Sequence, residues 1–174
     1  MTPSGYEISR ARPEDVILLP AIERAAGQLL RGYAPEYVLN EATDCATHAE
    51  AARQGRLWVA LAGDAPVGFA LVKMLADDLP YLAELDVEPS HGRRGLGTAL
   101  VRAVCEWATA SRFSIVTLTT FRAVPWNMPF YARLGFVEIP FDGLRPELAA
   151  VLSDEAARGL APGTRAVMAF RCSD

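Results

Sequence analysis

The stretch Asp86-Val87-Glu88-Pro89-Ser90-His91-Gly92-Arg93-Arg94-Gly95-Leu96-Gly97-Thr98-Ala99-Leu100 carries the first decision about the fold. Tyr81-Leu82-Ala83-Glu84-Leu85-Asp86-Val87 reads as a strand, and Pro89 ends it because proline cannot donate to a ladder. Three glycines follow within six residues, and then Leu100, Val101, Val104, Cys105 and Ala108 recur at helical spacing to about Ser111. Strand, glycine-rich turn and helix therefore follow one another directly. Glycine admits left-handed backbone angles and lets a ligand approach the main chain. The unpaired N–H groups at a helix start, together with the helix dipole, favour an anion such as a pyrophosphate. Arg93 and Arg94 add local positive charge for further phosphates. Two familiar phosphate loops are excluded. A P-loop requires Lys followed by Ser or Thr after its last glycine, and Gly95-Leu96-Gly97-Thr98-Ala99-Leu100 also lacks the third glycine of a dinucleotide fingerprint.

Working outward, residues 115–120 (Ile-Val-Thr-Leu-Thr-Thr) form a β-branched strand expected to be buried on both faces. With the helix between them, this strand and the preceding one should be parallel, joined by a right-handed crossover. Upstream, 57–61 and 67–72 flank Gly63-Asp64-Ala65-Pro66 as a hairpin, and 77–80 reads as a second turn. The weak alternation of 6–11 is a further extended segment. Pro13-Glu14-Asp15 then signals a helix entry, with Ile17, Leu18, Ala21, Ile22, Ala25, Leu29 and Leu30 on its apolar stripe. A polar helix is expected over 48–54, stopped by Gly55. Beyond the second parallel strand, a short helix at 128–134 ends at Gly135. A strand at 136–141, a helix at 146–157 and a closing strand at 165–170 follow. The expected class is α/β: a central mixed, mostly antiparallel sheet of about six to seven strands with one parallel pair, flanked by about four to five helices. No linker or repeat divides residues 1–174, so a single domain is expected.

The 174 residues carry 17 Lys+Arg against 21 Asp+Glu, a net charge of -4. Nucleic-acid binding, which relies on a basic surface, is therefore not expected. Hydrophobic residues make up 51%, yet no apolar run approaches the ~20 residues of a membrane span. Cys45, Cys105 and Cys172 are odd in number and far apart, which fits neither a disulfide framework nor a metal site. The opening residues have no secretory pattern, so the expected setting is cytoplasmic, with reduced thiols.

Three blocks together resemble the GNAT superfamily of acyl-CoA-dependent N-acetyltransferases. They are Leu85-Asp86-Val87-Glu88-Pro89, Arg93-Arg94-Gly95-Leu96-Gly97-Thr98-Ala99-Leu100, and Phe130-Tyr131-Ala132-Arg133-Leu134-Gly135-Phe136. The resemblance implies an acetyl-CoA-dependent acyltransferase that moves an acetyl group to a primary amine of a small molecule or peptide. Transfer would be direct, within a ternary complex. It implies that the main chain of Leu85, Asp86 and Val87 pairs with the pantetheine arm. The amides of Arg93, Arg94, Gly95, Leu96, Gly97 and Thr98, with Ala99 following, would hold the pyrophosphate. The acyl group would sit where the fourth and fifth strands part, and Tyr131 would protonate the departing thiolate. A homodimer is compatible with it. The chain departs from the family pattern at Gly92, where Gln or Arg is usual, and at Val124, where Asn is frequent. Asn127 stands near enough to Tyr131 to contact the pantetheine instead, or to cap the short helix. A non-catalytic acyl-CoA-binding sensor of the same fold is the alternative.

Amine acetylation needs a base, an oxyanion donor and an acid. Glu84 is the candidate base, with Asp86 expected on the opposite face of the strand. Backbone N–H groups around Asp86 and Val87 are candidate oxyanion donors. Tyr131 is the candidate acid. Thr119 and Thr120 are placed at the cleft, whereas neither His48 nor His91 is read as a base. Residues 28–40 and the tail after Phe141 should recognise the acceptor, with Tyr33, Glu36, Tyr37 and Trp126 shaping its pocket. No metal is called for by this chemistry.

Overall fold

Each strand forms where β-branched or aromatic residues cluster, and each helix covers one face of the sheet that results. The computed structural model describes residues 2–172. Its strands are β1 (Glu7–Arg10), β2 (Leu57–Ala62), β3 (Ala65–Ala76), β4 (Leu79–Val87), β5 (Ile115–Phe121), β6 (Val137–Ile139) and β7 (Arg165–Arg171). The helices are α1 (Leu19–Gly27), α2 (Glu36–Asn40), α3 (Cys45–Arg53), α4 (Leu96–Ala110), α5 (Asn127–Arg133) and α6 (Pro146–Ala157). The seven strands make one sheet in the order β1-β2-β3-β4-β5-β7-β6. Every neighbouring pair is antiparallel except β4 and β5, which are parallel. The expected fold class is therefore present, with α2 raising the helix number to six.

The sheet divides the core. On one face α4 buries Leu96, Leu100, Val101, Val104, Cys105 and Ala108 against Trp58, Ala70, Val72, Leu82, Val116 and Leu118. On the other, α1 and α3 lay Leu19, Ile22 and Ala51 over Leu57, Val59, Phe69 and Leu71. Beside them, α6 packs Leu148 and Leu152 on Leu79, Tyr81 and Val167. Burial pushes the Cys105 thiol up to about 12, so at neutral pH it behaves as a small core hydrophobe.

Several boundaries differ from those expected. Asp15 does not open a helix: it is buried and accepts from the Arg12 backbone and guanidinium, the latter at 2.7 Å. The α-helix begins four residues later with Pro20 in its first turn, after a single 3-10 turn at Val16–Leu18. The buried stripe consists of Val16, Leu19 and Ile22, whereas Ile17, Leu18 and Leu29 are exposed. Helix α3 starts at Cys45, not 48, because Asp44 caps it by accepting from Thr47 N–H at 2.8 Å. Pro80 lies inside β4 opposite Met74, so the turn shrinks to Asp77 and Asp78. Strand β6 spans three residues, its far end turning into a 3-10 segment at Phe141–Gly143.

Candidate active site

The register of β3 against β4 slips between Leu71 and Val72: Leu71 faces Glu84, while Val72 faces Leu82. The extra residue bends β4 and re-aims its side chains. On the other edge, β4 and β5 register at Tyr81 and Thr117 and at no later pair, so the two strands diverge toward their C-terminal ends. Glu88 N–H donates to Val67 C=O at 2.8 Å. Alternation along an antiparallel ladder then gives the N–H groups of Asp86 and Glu84 to β3 and turns those of Leu85 and Val87 into the gap. Asp86 is thus not an oxyanion donor, as its amide is committed to β3; Val87 and Leu85 present the free edge. Gly68 makes the close approach of β3 possible, since a Cβ there would lie 2.8 Å from the Asp86 carbonyl oxygen.

The glycine loop delivers its amides next to this edge. Gly95 adopts φ +83 and Arg93 φ +57, turning the chain sharply into α4. The first intrahelical bond runs from Ala99 N–H to Gly95 C=O at 3.0 Å, leaving the N–H groups of Leu96, Gly97 and Thr98 unpaired by the helix. Arg93 and Arg94 are exposed. Gly97 lies under Phe130, its Cβ position 3.4 Å from that ring, which ties the loop to α5. His91 shares a 2.9 Å hydrogen bond with the Tyr6 hydroxyl, a contact the sequence did not signal.

The candidate catalytic side chains converge, and the electrostatics show how. Strand period places Glu84 and Asp86 on one face, correcting the opposite-face expectation. Glu84 is raised well above the ordinary carboxylate range, first by burial and then by the charges of Asp86 and Glu23. Asp86 is raised likewise by burial and by Glu23. Its Oδ2 is buried without a hydrogen-bond partner among the described residues. Glu23, on α1, was not foreseen; it accepts from Thr43 N–H at 2.9 Å and is itself raised by burial. Only the tertiary fold brings α1 over β4. The Tyr131 hydroxyl is raised far above the usual phenol range by burial and by Asp86 and Glu84, so it holds its proton at neutral pH. Its ring meets Phe130 and Phe136 edge-on at 5.0 and 5.6 Å.

Thr119 and Thr120 face opposite ways. Thr119 Oγ1 bonds Tyr81 OH at 2.7 Å, donates to Glu155 at 2.7 Å and accepts from Arg165 at 3.1 Å, whereas Thr120 is buried. Asn127 is the first residue of α5 and does not cap it; Trp126 holds that position. Val124 is buried with Phe121 and Leu160, so the residue at the departure from the family pattern seals a small apolar cluster. Tyr33 and Trp126 meet edge-on at 5.6 Å and are exposed, Tyr37 lies beneath Arg158, and Glu36 pairs with Arg31 at 3.9 Å. His48 is buried against Phe69 away from the gap. Two surface grooves, at the far end of α4 and beside Cys172, touch none of the candidate residues.

Comparison with known proteins agrees with this fold. The family model described as Acetyltransferase (GNAT) family matches residues 25–136. Mycothiol acetyltransferase of Rhodococcus erythropolis is 47% identical over 58 residues, which are 33% of this chain and 19% of that protein's length. The PaiA N-acetyltransferase of Thermoplasma acidophilum, solved with coenzyme A, superposes with a TM-score of 0.75 at 17% identity, covering 95% of this chain and 98% of that one. The Rv2747 protein of Mycobacterium tuberculosis, also solved with CoA, gives 0.63 at 26% identity, covering 95% and 98%. Among the described residues, no helix is long and apolar enough to cross a membrane.

Proposed function

This chain belongs to the GNAT acetyltransferase family, and from that membership we propose that it moves an acetyl group from acetyl-CoA directly to a primary amine of a small molecule or peptide in a ternary complex. The observation that carries the proposal is the gap between β4 and β5, edged by the free amides of Leu85 and Val87 and flanked by Glu84, Asp86 and Tyr131. In this reading the β4 edge pairs with the pantetheine. The amides of residues 93–98 hold the pyrophosphate, with Arg93 and Arg94 available to its oxygens. Asn127 and Tyr131 lie against the arm from α5.

Glu84 takes a proton from the acceptor's ammonium, directly or through water, and its raised pKa suits a base at neutral pH. The amine nitrogen then attacks the thioester carbonyl. Val87 N–H, aimed into the gap, faces the developing oxyanion. As the carbon–sulfur bond breaks, Tyr131 donates its hydroxyl proton to the sulfur, and the surplus proton on the new amide nitrogen passes through water to the Tyr131 phenolate. The cluster of Glu23, Glu84 and Asp86 favours a cationic acceptor. The gathering of an acid and a base around one gap favours catalysis over the alternative of a non-catalytic acyl-CoA sensor. An amine panel with acetyl-CoA and free-thiol detection tests the proposal. Amine-dependent release of CoA is expected, and release no faster than the amine-free blank with every acceptor contradicts it.

A further inference from the structure

One buried charged group lies outside the roles above. Arg165, the first residue of β7, is 7% exposed and pairs in register with Phe121 at the end of β5. Its Nε and Nη2 donate to the two oxygens of Glu155 at 2.8 and 3.0 Å, and Nη2 also reaches Thr119. The guanidinium lies over the Phe121 ring at 4.2 Å. Nη1 is buried with no hydrogen-bond partner among the described residues. An unsatisfied donor on a charged group is costly to bury, and a bound ligand oxygen removes that cost.

The location indicates which ligand. Arg165 belongs to the tail after Phe141. Phe121 beneath it is covered, with Val124 and Leu160, by Leu30, Ala34 and Val38 of the 28–40 connection. These are the two segments placed at the acceptor. Thr119 and Tyr81 link the guanidinium to β4 through hydrogen bonds of 3.1 and 2.7 Å. Arg165 is already neutralised by Glu155, and Glu23, Glu84 and Asp86 lie toward the gap, so a second negative charge is disfavoured there. Nη1 offers only donors, which match an oxygen that only accepts.

We propose that Arg165 is an acceptor-binding residue whose Nη1 donates to an uncharged amide carbonyl oxygen adjacent to the amine that is acetylated. The substrate class is then an aminoacyl amide, of which a peptide N-terminus is one source, and not a free amino acid. Nη1 is closed from water, and the acceptor would approach it past the 28–40 connection, which is built of single-turn helices and covers the Phe121 cluster. The inference rests on the amine reading above.

Three probes of similar size decide it: alaninamide, alanine, and 2-amino-3-methylbutane, which has no oxygen. Wild-type protein should show kcat/KM for alaninamide above both others, through the lower basicity of its amine together with roughly tenfold from one buried hydrogen bond. In the paired variant Arg165→Met/Glu155→Leu, which leaves no orphaned charge, the ratio of alaninamide to the oxygen-free amine should fall roughly tenfold from its wild-type value, down to the preference set by the lower basicity of the alaninamide amine alone. A purely structural role would lower both probes alike and preserve the ratio, and that result overturns the proposal, as does a wild-type preference for alanine. If the wild-type protein acetylates none of the probes, the reading of these amines as acceptors fails separately. Saturation-transfer NMR of the same probes with the CoA-loaded protein then decides Arg165. Stronger binding of alaninamide than of the oxygen-free amine, lost in the paired variant, upholds it; equal binding refutes it.

Discussion

In the proposed mechanism Tyr131 and Glu84 divide the two proton transfers, and each assignment has its own kinetic signature. Tyr131→Phe keeps the ring against Phe130 and Phe136 and removes only the hydroxyl. Turnover should fall by about 10²-fold or more with acetyl-CoA affinity nearly unchanged; equal turnover would remove Tyr131 as the acid. Glu84 acts ionised, so kcat/KM should rise with pH through its native pKa. Burial and Asp86 hold that value well above the ordinary ~4.3. Glu84→Gln should abolish that acid limb, and a limb that persists in the variant assigns it to another group. His48 makes a stability prediction instead. Burial holds its pKa below the ordinary value, with Lys73 adding to that effect and Asp44 opposing it. The unfolded chain therefore binds the proton first, and stability is complete above about pH 6.5 and declines as pH falls from there toward the lowered native value. Melting curves across this window should be flatter for His48→Leu than for wild type; parallel curves would exclude His48 as the titrating group. At this scale the turn glycines of the 92–97 loop were legible because they sit in a local strand–turn–helix motif. The burial of Glu23 and Arg165 was not, since α1 packs against β4 and β7 pairs with β5 only through tertiary folding.

The divergence of β4 from β5 is a property of the strands rather than of any one side chain. It depends on β3 holding the far edge of β4, which Gly68 permits by leaving no Cβ against the Asp86 carbonyl. Gly68→Ala should push the strands apart, lowering both the melting temperature and the acetyl-CoA affinity, and calorimetric titration of the variant measures the second directly. Wild-type affinity in Gly68→Ala would mean that the β4 edge does not contact the ligand. Periodicity was enough to place α4, α5, α6, β5 and β7, whose patterns are long or sharply bounded. It missed α2, a single turn with one buried residue, Leu39, and it misjudged the entry to α1, where Asp15 serves Arg12 instead of a helix start. The slip between β3 and β4 left no trace in composition, because a bulge adds a residue without changing the apolar pattern around it.

For the whole molecule, one continuous sheet carries cores on both faces, with α4 on one and α1, α3 and α6 on the other. Residues from β1 to β7 contribute to that sheet, and the expectation of a single domain translates into one cooperative unfolding transition. Two separable transitions in calorimetry would contradict it. The net charge of -4 coexists with Arg93 and Arg94 at the start of α4, so an acidic protein can still offer a phosphate ligand a local positive mouth. The most direct measurement is calorimetric titration of acetyl-CoA into the wild-type protein. Saturable binding of one acetyl-CoA per chain, weakened by added salt as its phosphates are screened from Arg93 and Arg94, is the predicted result. Absence of saturable heat at micromolar protein would contradict the assignment of the glycine loop and the β4 edge to this ligand.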